Sequence, residues 1–410
     1  MKNTILAIFV FAFSLITSAQ NEGKITIGTI DSVESKILSE KRKIWVYVPN
    51  SGNPQLAAQK YPVVYLLDGN QHFSSVVGMI QQLSQANSNT LCPEMIVVGI
   101  PNTIRERDLT PTKTGDDPFL KQIGPLRASG GGEAFISFME KELMPYIDSK
   151  YPTQSYKMLI GHSFGGLTVM NALINHTKLF NSYIAIDPSM WWDNMNFLKT
   201  TKNGLAQKGF AGRTLYMGIA NTMDSDMDLK TILKKDTSVS TRGIRGAFDL
   251  DNFIRTQQPK GLRYASKYYA NETHNGAPLI TEYDALRFIF EKYQLKLDNR
   301  DILDSTSAFL KKIEERYRDF SEIYSYEVKP TENEMNIWGY RFLQRKQFKK
   351  AESFFKWNLI NYPQSVNVYD SYGDFFVAAS DKTRAVEMFN KALSIKENAA
   401  TRNKLNKLLE

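Results

Sequence analysis

Seven short apolar runs, separated by longer stretches with helical periodicity, constrain the fold of this chain more than any other feature of its sequence. The central runs are apolar at nearly every residue, which is typical of strands buried on both faces. Stretches between them, such as 133–147 and 167–175, carry apolar residues three and four apart, as helices do. This alternation predicts an α/β domain with a mostly parallel sheet flanked by helices, over about residues 24–293. The predicted strands are 43–48, 62–69, 94–100, 157–163, 182–187, 214–220 and 262–270.

The composition changes after about residue 295, where the strand pattern disappears and a small all-α module is predicted. An amphipathic helix is expected over 307–320. Beyond it, two small residues and an aromatic recur with a period of 34 residues, as Gly339, Ala351 and Phe355 and then as Gly373, Ala385 and Phe389. This pattern resembles the tetratricopeptide repeat, in which small residues let the helices of a hairpin pack closely. Two repeats are fewer than such arrays usually need, so we expect the module to pack against the preceding helix or the larger domain.

The N-terminal residues predict export. Residues 1–19 carry one lysine, an apolar run and then the small residues Thr17 and Ala19, which is the pattern of a signal peptide cleaved before Gln20. The apolar run is shorter than the roughly 20 residues that span a bilayer, so we expect a periplasmic or secreted protein without a membrane span. The predicted division is a signal peptide at 1–19, the α/β domain at 20–295, a helical linker at 296–330, and the repeats with a final helix at 331–410.

Charge and composition exclude several classes of function. The formal net charge is +8, but the basic residues are spread among acidic ones, which favours a solvated surface over a nucleic-acid site. The four histidines show no HExxH or paired metal-ligand spacing, so no metal site is predicted. Cys92 is the only cysteine, so the fold has to be stabilised by its core rather than by an internal disulfide.

The stretch LIGHSFGGL, from Leu159 to Leu167, predicts a catalytic turn. A strand leads directly into Ser163 and a helix begins just after it, and glycines occupy the flanking positions of a G-x-S-x-G pattern. This is the nucleophile elbow of the α/β-hydrolase fold, whose sharp turn leaves no room for side chains at those glycines. Ser163 is the candidate nucleophile. The candidate oxyanion donors are the amide of Phe164 and the amide of Asn70, which follows the strand 62–69.

His274 is the candidate general base. It directly follows the last predicted strand and precedes a helix, where this fold places its histidine. We expect His162 to pack under the elbow and His176 to be solvated at a helix end. His72 is placed in a loop that borders the pocket, either as a structural residue or as one that contacts substrate.

The sequence leaves the acid that orients His274 open. Spacing after the strand 214–220 favours Asp224, and the same loop also offers Asp226 and Asp228. Asp187, one strand earlier, and Glu272 are further alternatives, as is a dyad without a strong acid. Loss of this group is expected to lower the rate while leaving binding largely intact.

Several motifs together resemble a known family. They are VVYLLDGNQHF, RERDLTPT, GGGEAFISFMEKELMPYID, IGHSFGGL, IAIDPSMWW and ETHNGAPL, and they cover nearly all of the first domain. The chain is similar to the putative-esterase branch of α/β-hydrolases, which includes esterase D, feruloyl and acetyl-xylan esterases, the mycolyltransferase antigens and the trilactone siderophore esterases. The resemblance implies hydrolysis of a carboxylic ester without a cofactor, and it carries over Ser163 as nucleophile and His274 as base.

Candidate substrate contacts lie near these motifs. Trp191 and Trp192 are expected to offer an aromatic surface to an aryl or sugar group, with one of the two capping the core instead. Arg105 and Arg107 follow a strand at its carboxyl end, and they are expected either to hold an anionic group such as a catecholate or to form salt bridges with Asp108 or Glu106.

The predicted function is an exported serine carboxylic-ester hydrolase acting through an acyl-enzyme. The predicted substrate is a small-molecule or carbohydrate ester, either a siderophore trilactone or an aryl or acetyl carbohydrate ester. The alternatives are acyl transfer to a sugar or lipid hydroxyl, and a scaffold that binds a protein partner through its helical repeats.

Overall fold

A single mixed sheet forms the centre of the part of the protein that the computed structural model describes, namely residues 25–49, 60–86, 90–114, 128–294, 299–303, 308–324 and 326–410. The predicted signal peptide, 1–19, lies outside these residues. The strands are β1 Thr29–Ser35, β2 Glu40–Tyr47, β3 Tyr61–Leu67, β4 Ile96–Ile100, β5 Thr153–His162, β6 Ser182–Ile186, β7 Arg213–Ala220 and β8 Leu262–Tyr269. Their order is β1-β2-β4-β3-β5-β6-β7-β8. β1 and β2 are antiparallel, β2 is antiparallel to β4, and all the remaining pairs are parallel.

The seven predicted strands are confirmed as β2 to β8, whereas β1 was not predicted. Its sequence, TIDSVES, lacks an apolar alternation, because β1 lies at the edge of the sheet and buries only Val33 and Ser35. An edge strand with one solvated face carries little of the hydrophobic signal that identifies central strands.

Helices cover both faces of the sheet. They are α1 Gly69–Ser84, α2 Arg105–Leu109, α3 Gly132–Phe138 followed by the π-helical turn Met139–Leu143, α4 Met144–Lys150, α5 Phe164–Asn175, α6 Asn196–Gln207, α7 Leu229–Lys235, α8 Arg242–Gln257, α9 Ala277–Ile289 and α10 Asn299–Leu303. Along β3, Val63, Tyr65 and Leu67 pack into one hydrophobic cluster, and Val64 and Leu66 pack into the other. This period of two explains why the central strands are apolar throughout: each supplies two cores at once.

After the sheet domain, the chain forms a long helix and then two helical hairpins. The helices are α11 Ala308–Tyr324, α12 Glu332–Gln344, α13 Phe348–Asn361, α14 Val366–Ala378, α15 Lys382–Ile395 and α16 Ala399–Leu409. A side chain at Gly339 would lie 2.8 Å from the ring of Phe355, and one at Gly373 would overlap the ring of Phe389 in the same way. The period of 34 residues therefore reflects one packing arrangement used twice. Membership of these hairpins in the tetratricopeptide family, their binding of a protein partner, and the domain boundaries all stay predictions.

The helical module packs on the sheet domain through aromatic side chains. Tyr324 contacts Tyr156 of β5 with ring centroids 5.3 Å apart, and Phe320 stacks on Tyr293 at 4.5 Å. The same hydrophobic cluster extends from β3, β5 and β6 into α16. The module thus shares a core with the sheet, as its low repeat number led us to expect. Among the described residues, no helix combines the length and apolarity needed to cross a bilayer.

Candidate active site

Ser163 lies in a strained turn between β5 and α5. Its backbone has φ 61° and ψ −113°, a conformation that a residue with a side chain rarely adopts. The turn is held by its own backbone, since the Ser163 amide donates to the Ile186 carbonyl at 2.9 Å. A side chain at Gly161 would overlap the backbone of Gly165, which explains the glycine at that position. The predicted elbow geometry is confirmed.

Asp187 holds the imidazole of His274. Its Oδ2 lies 2.5 Å from His274 Nδ1, and its Oδ1 accepts a hydrogen bond from the amide of Ala220 at 3.0 Å. Asp187 directly follows β6 with φ 39°, and its amide donates to the carbonyl of Gly218. The end of β7 therefore fixes a carboxylate that comes from β6. Only 7% of Asp187 is exposed, which favours a strong, oriented contact with the imidazole.

The prediction of Asp224 as the acid is wrong on geometry. Asp224 and Asp226 are exposed, and Asp228 caps α7 by accepting from the amide of Thr231 at 2.9 Å. The residue found at the histidine is Asp187, one of the alternatives left open by the sequence. β6 and β7 are neighbours, so their carboxyl ends deliver side chains to the same place. The number of residues after each strand therefore does not show whether β6 or β7 supplies the acid.

Both candidate oxyanion amides belong to the first turns of helices. Phe164 is the first residue of α5, and Asn70 is the second residue of α1. First-turn amides have no acceptor within their own helix and carry the positive end of its dipole. The arrangement fits an oxyanion hole, and the role of these two amides stays a prediction.

Asp68 and Arg105 link the two turns. Asp68, which precedes α1 in a left-handed conformation with φ 51°, accepts from Arg105 at 2.7 and 2.9 Å. Arg105 also donates to the carbonyl of His162 at 3.2 Å, next to Ser163. Burial alone raises the pKa of Asp68, but the hydrogen bonds and charge of Arg105 more than offset this and lower it. Arg105 thus pairs with Asp68 rather than with Asp108 or Glu106.

A cavity of about 320 Å³ opens in front of Ser163 and His274. Among the described residues its wall includes Arg105, Trp191 and Arg242. The guanidinium of Arg242 lies 5.1 Å from the ring centroid of Trp191. Arg242 was not predicted: it is the first residue of α8, and no motif marks it in the sequence.

Trp192 and Arg107 do not line this cavity, so their prediction as substrate-binding residues is wrong, and the alternatives that the sequence left open, a core cap and a salt bridge with Asp108, are found instead. Trp192 is fully buried, and its Nε1 donates to the carbonyl of Thr112 at 3.1 Å. It is the tryptophan that caps the core, and Trp191 is the one that lines the pocket. Arg107 donates to Asp108 at 2.7 Å and to Glu40 of β2 at 2.8 Å, so its charge is used inside the fold.

His72 lies behind the elbow and not at the cavity, so its prediction as a substrate contact is wrong, and the structural role that the sequence also left open is the one found. It belongs to the first turn of α1 rather than to a loop, and its ring meets that of His162 with centroids 5.9 Å apart. His162 donates a hydrogen bond from Nε2 to the carbonyl of His274 at 2.8 Å. Burial, reinforced by the neighbouring His274 and His72, lowers the pKa of His162 to about 3. His162 is therefore neutral at ordinary pH, and it packs beneath the elbow as predicted.

Glu282 of α9 completes the layer behind the elbow. It is 1% exposed, and its Oε1 lies 3.8 Å from Nδ1 of His72. Burial raises the pKa of Glu282 to about 8 and lowers the pKa of His72, so both groups are neutral near pH 7. Nothing in the sequence distinguished this glutamate from a surface residue.

Comparisons with known proteins find relatives among esterases. The family model described as "Putative esterase" matches residues 35–226. The ferri-bacillibactin esterase of Bacillus subtilis is 30% identical over 197 residues, which cover 45% of this chain and 68% of that protein. The siderophore enterobactin esterase of Emericella nidulans is 31% identical over 149 residues, 33% of this chain and 48% of that protein.

A solved structure extends the likeness over more of the chain. The IroE-like serine hydrolase from Shewanella oneidensis is 30% identical, with a TM-score of 0.65, and the match covers 81% of this chain and 98% of that one. The chain belongs to the putative esterase family of α/β-hydrolases and is a serine ester hydrolase.

Proposed function

We propose that the protein is an exported carboxylic-ester hydrolase that works through an acyl-enzyme on Ser163. The observation that carries the proposal is the convergence, at one cavity, of a serine on a strained turn and a histidine held by Asp187 at 2.5 Å. Ser163 Oγ attacks the ester carbonyl while His274 takes its proton and then gives it to the departing alcohol. A water activated by His274 releases the acid. Asp187 keeps the imidazole in the required tautomer and stabilises its cation.

We infer that the substrate carries an aromatic, anionic arm, as a catecholate siderophore trilactone does. Two guanidinium groups lie over rings at the cavity, Arg242 over Trp191 at 5.1 Å and Arg105, which is also paired with Asp68, over Phe164 at 5.3 Å. Cations and aromatic faces side by side favour planar anions. A cavity of about 320 Å³ suits one arm of a trilactone better than the whole ring. The relatives named for ferri-bacillibactin and enterobactin support the same substrate class.

The nucleophile is tested by Ser163→Ala with p-nitrophenyl acetate as substrate. We expect turnover to fall to background while the circular dichroism spectrum is unchanged, and Ser35→Ala, which removes a buried hydroxyl on β1, to keep wild-type turnover. Turnover retained by Ser163→Ala would refute the proposed mechanism.

The substrate class is tested separately with the wild-type protein. A panel of trilactone catecholate, feruloyl and acetylated-xylan esters is compared by kcat/KM. We expect the trilactone to be hydrolysed most efficiently. A preference for acetylated xylan would overturn the substrate assignment and leave the mechanism standing.

Export is supported by the pattern of residues 1–19. We expect the protein in the periplasmic or extracellular fraction of its host, beginning at Gln20 by N-terminal sequencing. A cytoplasmic protein that retains Met1 contradicts export.

A further inference from the structure

Ser189 carries a hydroxyl within hydrogen-bond distance of the proposed nucleophile. Its Oγ lies 3.2 Å from Ser163 Oγ, and its side chain faces the cavity that holds Ser163 and His274. Ser189 is 3% exposed and follows the acid Asp187 by two residues. We propose that Ser189 is a further catalytic residue, which donates a hydrogen bond to Ser163 Oγ whenever that oxygen gains negative charge. The proposal rests on Ser163 being the nucleophile.

The position of Ser189 is fixed by contacts that do not involve its hydroxyl. Its amide donates to the Ser163 carbonyl at 3.2 Å, and its own carbonyl accepts from the amide of Trp192 at 2.9 Å. The preceding Pro188 packs so closely on α5 that a side chain at Gly166 would lie 2.8 Å from it. A donor held this way needs no reorganisation when charge develops, which is the condition for electrostatic stabilisation by a protein dipole.

The direction of the bond follows from the chemistry of the nucleophile. Ser163 has one proton, and in the attack that proton has to move to the imidazole of His274. One lone pair of Ser163 Oγ forms the bond to the acyl carbon, and a second lone pair remains to accept a hydrogen bond. Ser189 therefore donates and Ser163 accepts. Ser189 neither loses nor gains a proton in the cycle.

The hydrogen bond acts in both halves of the reaction. In acylation the proton leaves Ser163 Oγ for His274 as the C–O bond forms, and the carbonyl pair moves onto the oxyanion. That pair then re-forms the carbonyl while the alcohol departs with the proton from His274. In deacylation a water loses its proton to His274 and attacks; the acyl carbon then releases Ser163 Oγ, which takes the bonding pair and recovers a proton from His274. Ser163 Oγ gains negative charge at the start of the first half and at the end of the second. Ser189→Ala is thus expected to slow both.

The test measures acylation and deacylation separately by stopped-flow bursts with p-nitrophenyl acetate. We expect Ser189→Ala to lower both rate constants by about 10- to 100-fold, the effect of one hydrogen bond to a charged group, with KM for the acylation step unchanged. Active-site titration with a phosphonate and the thermal midpoint are expected to match the wild type. Ser35→Ala, which also removes a buried hydroxyl, is the control and keeps wild-type rates.

A double-mutant cycle separates a catalytic contact from a structural one. Sulfur is a weak hydrogen-bond acceptor, so in a Ser163→Cys background the further change Ser189→Ala is expected to lower acylation by less than about threefold. An equal loss in the serine and cysteine backgrounds would show that Ser189 only shapes the turn. Rates within twofold of the wild type for Ser189→Ala, or a loss explained by fewer titratable sites, would also overturn the proposal. None of these results bears on Ser163 itself, which Ser163→Ala tests.

Discussion

Glu282 offers a quantitative test of the buried layer behind the elbow. Its carboxyl group is 1% exposed, and neither of its oxygens has a hydrogen-bond partner among the described residues. The nearest basic group, His72 Nδ1, lies 3.8 Å away and has a pKa lowered chiefly by burial, so it provides no cation near neutral pH. A buried acid in this situation keeps its proton, because the ionised form loses its hydration and gains no partner.

The effect on stability depends on pH. In the unfolded chain Glu282 ionises near its ordinary pKa of 4.5, whereas in the folded protein its pKa is about 8. Between these values the folded state binds the proton more strongly, so the free energy of unfolding falls as pH rises through this window. Below pH 4.5 the buried carboxyl group does not lower the free energy of unfolding, and above pH 8 the loss of stability has reached its full value. At about 1.4 kcal/mol per pKa unit, it is on the order of 5 kcal/mol.

Glu282→Gln removes this ionisation and nearly keeps the shape of the side chain. The glutamine buries an amide of its own, which shifts the stability by an amount that does not depend on pH. We expect urea unfolding at pH 5, 7 and 9 to show the variant gaining several kcal/mol relative to the wild type as pH rises. Glu315→Gln, at an exposed site on α11, is the control and follows the wild type. Parallel stability curves for Glu282→Gln and the wild type would refute the reasoning.

Three further predictions concern the acid and the helical module. Asp187→Asn is expected to lower kcat for p-nitrophenyl acetate by about 10⁴-fold, as loss of the orienting carboxylate does in other triads. Asp224→Asn is expected to keep kcat within about twofold of the wild type. The reverse result would show that Asp224 is the acid. Gly373→Ala forces a side chain into the ring of Phe389 and is expected to cost about 1–3 kcal/mol in thermal unfolding, and an unchanged midpoint would contradict the packing. Truncation before Pro330 exposes part of the shared aromatic core, so we expect an aggregating protein; wild-type turnover and stability in the truncated chain would show that the module is dispensable.

The central sheet was predictable because each inner strand carries its own evidence. A strand such as β3, buried on both faces, is apolar at every residue whatever its neighbours in the sheet are. β1 has no such signature, since its pairing with β2 is set by the backbone and only two of its seven residues are buried. The order of the strands and the sharing of one core with α11 to α16 depend on contacts between distant segments, and no local pattern encodes them.

Ser163 and His274 were identified for a similarly local reason. Each lies between a strand and the helix that follows it, and the glycines around Ser163 mark a turn that other residues do not fit. The acid could not be identified from local sequence, because Asp187 and Asp224 both come after strands whose ends lie side by side. Deciding between them requires the direction of a side chain in three dimensions, which Asp187 owes to its positive φ and its bond to Ala220.

For the cationic and aromatic residues, too, the sequence does not show which member of a neighbouring pair faces the cavity. Arg105 and Arg107 are two residues apart on a helix of one turn, so they point in different directions: one lies at the cavity and the other pairs with Glu40. Trp191 and Trp192 are adjacent in a tight turn, and one is buried while the other lines the pocket. Composition and motif locate the segment that builds the site, and the choice of residue within it is made by packing.

The segment that follows β6 contains several of the residues that form the candidate site. Within six consecutive positions, Asp187 supplies the carboxylate that holds His274, and Ser189 supplies the hydroxyl beside Ser163. Trp191 lines the pocket, and Trp192 is buried in the core. Because Trp192 is buried and bonded to Thr112, the segment is fixed at its far end as well as at β6. The turn is thus secured at both ends, and backbone hydrogen bonds from Asp187 to Gly218 and from Ser189 to Ser163 hold it between them, which gives the rigidity that an active site built on loops requires.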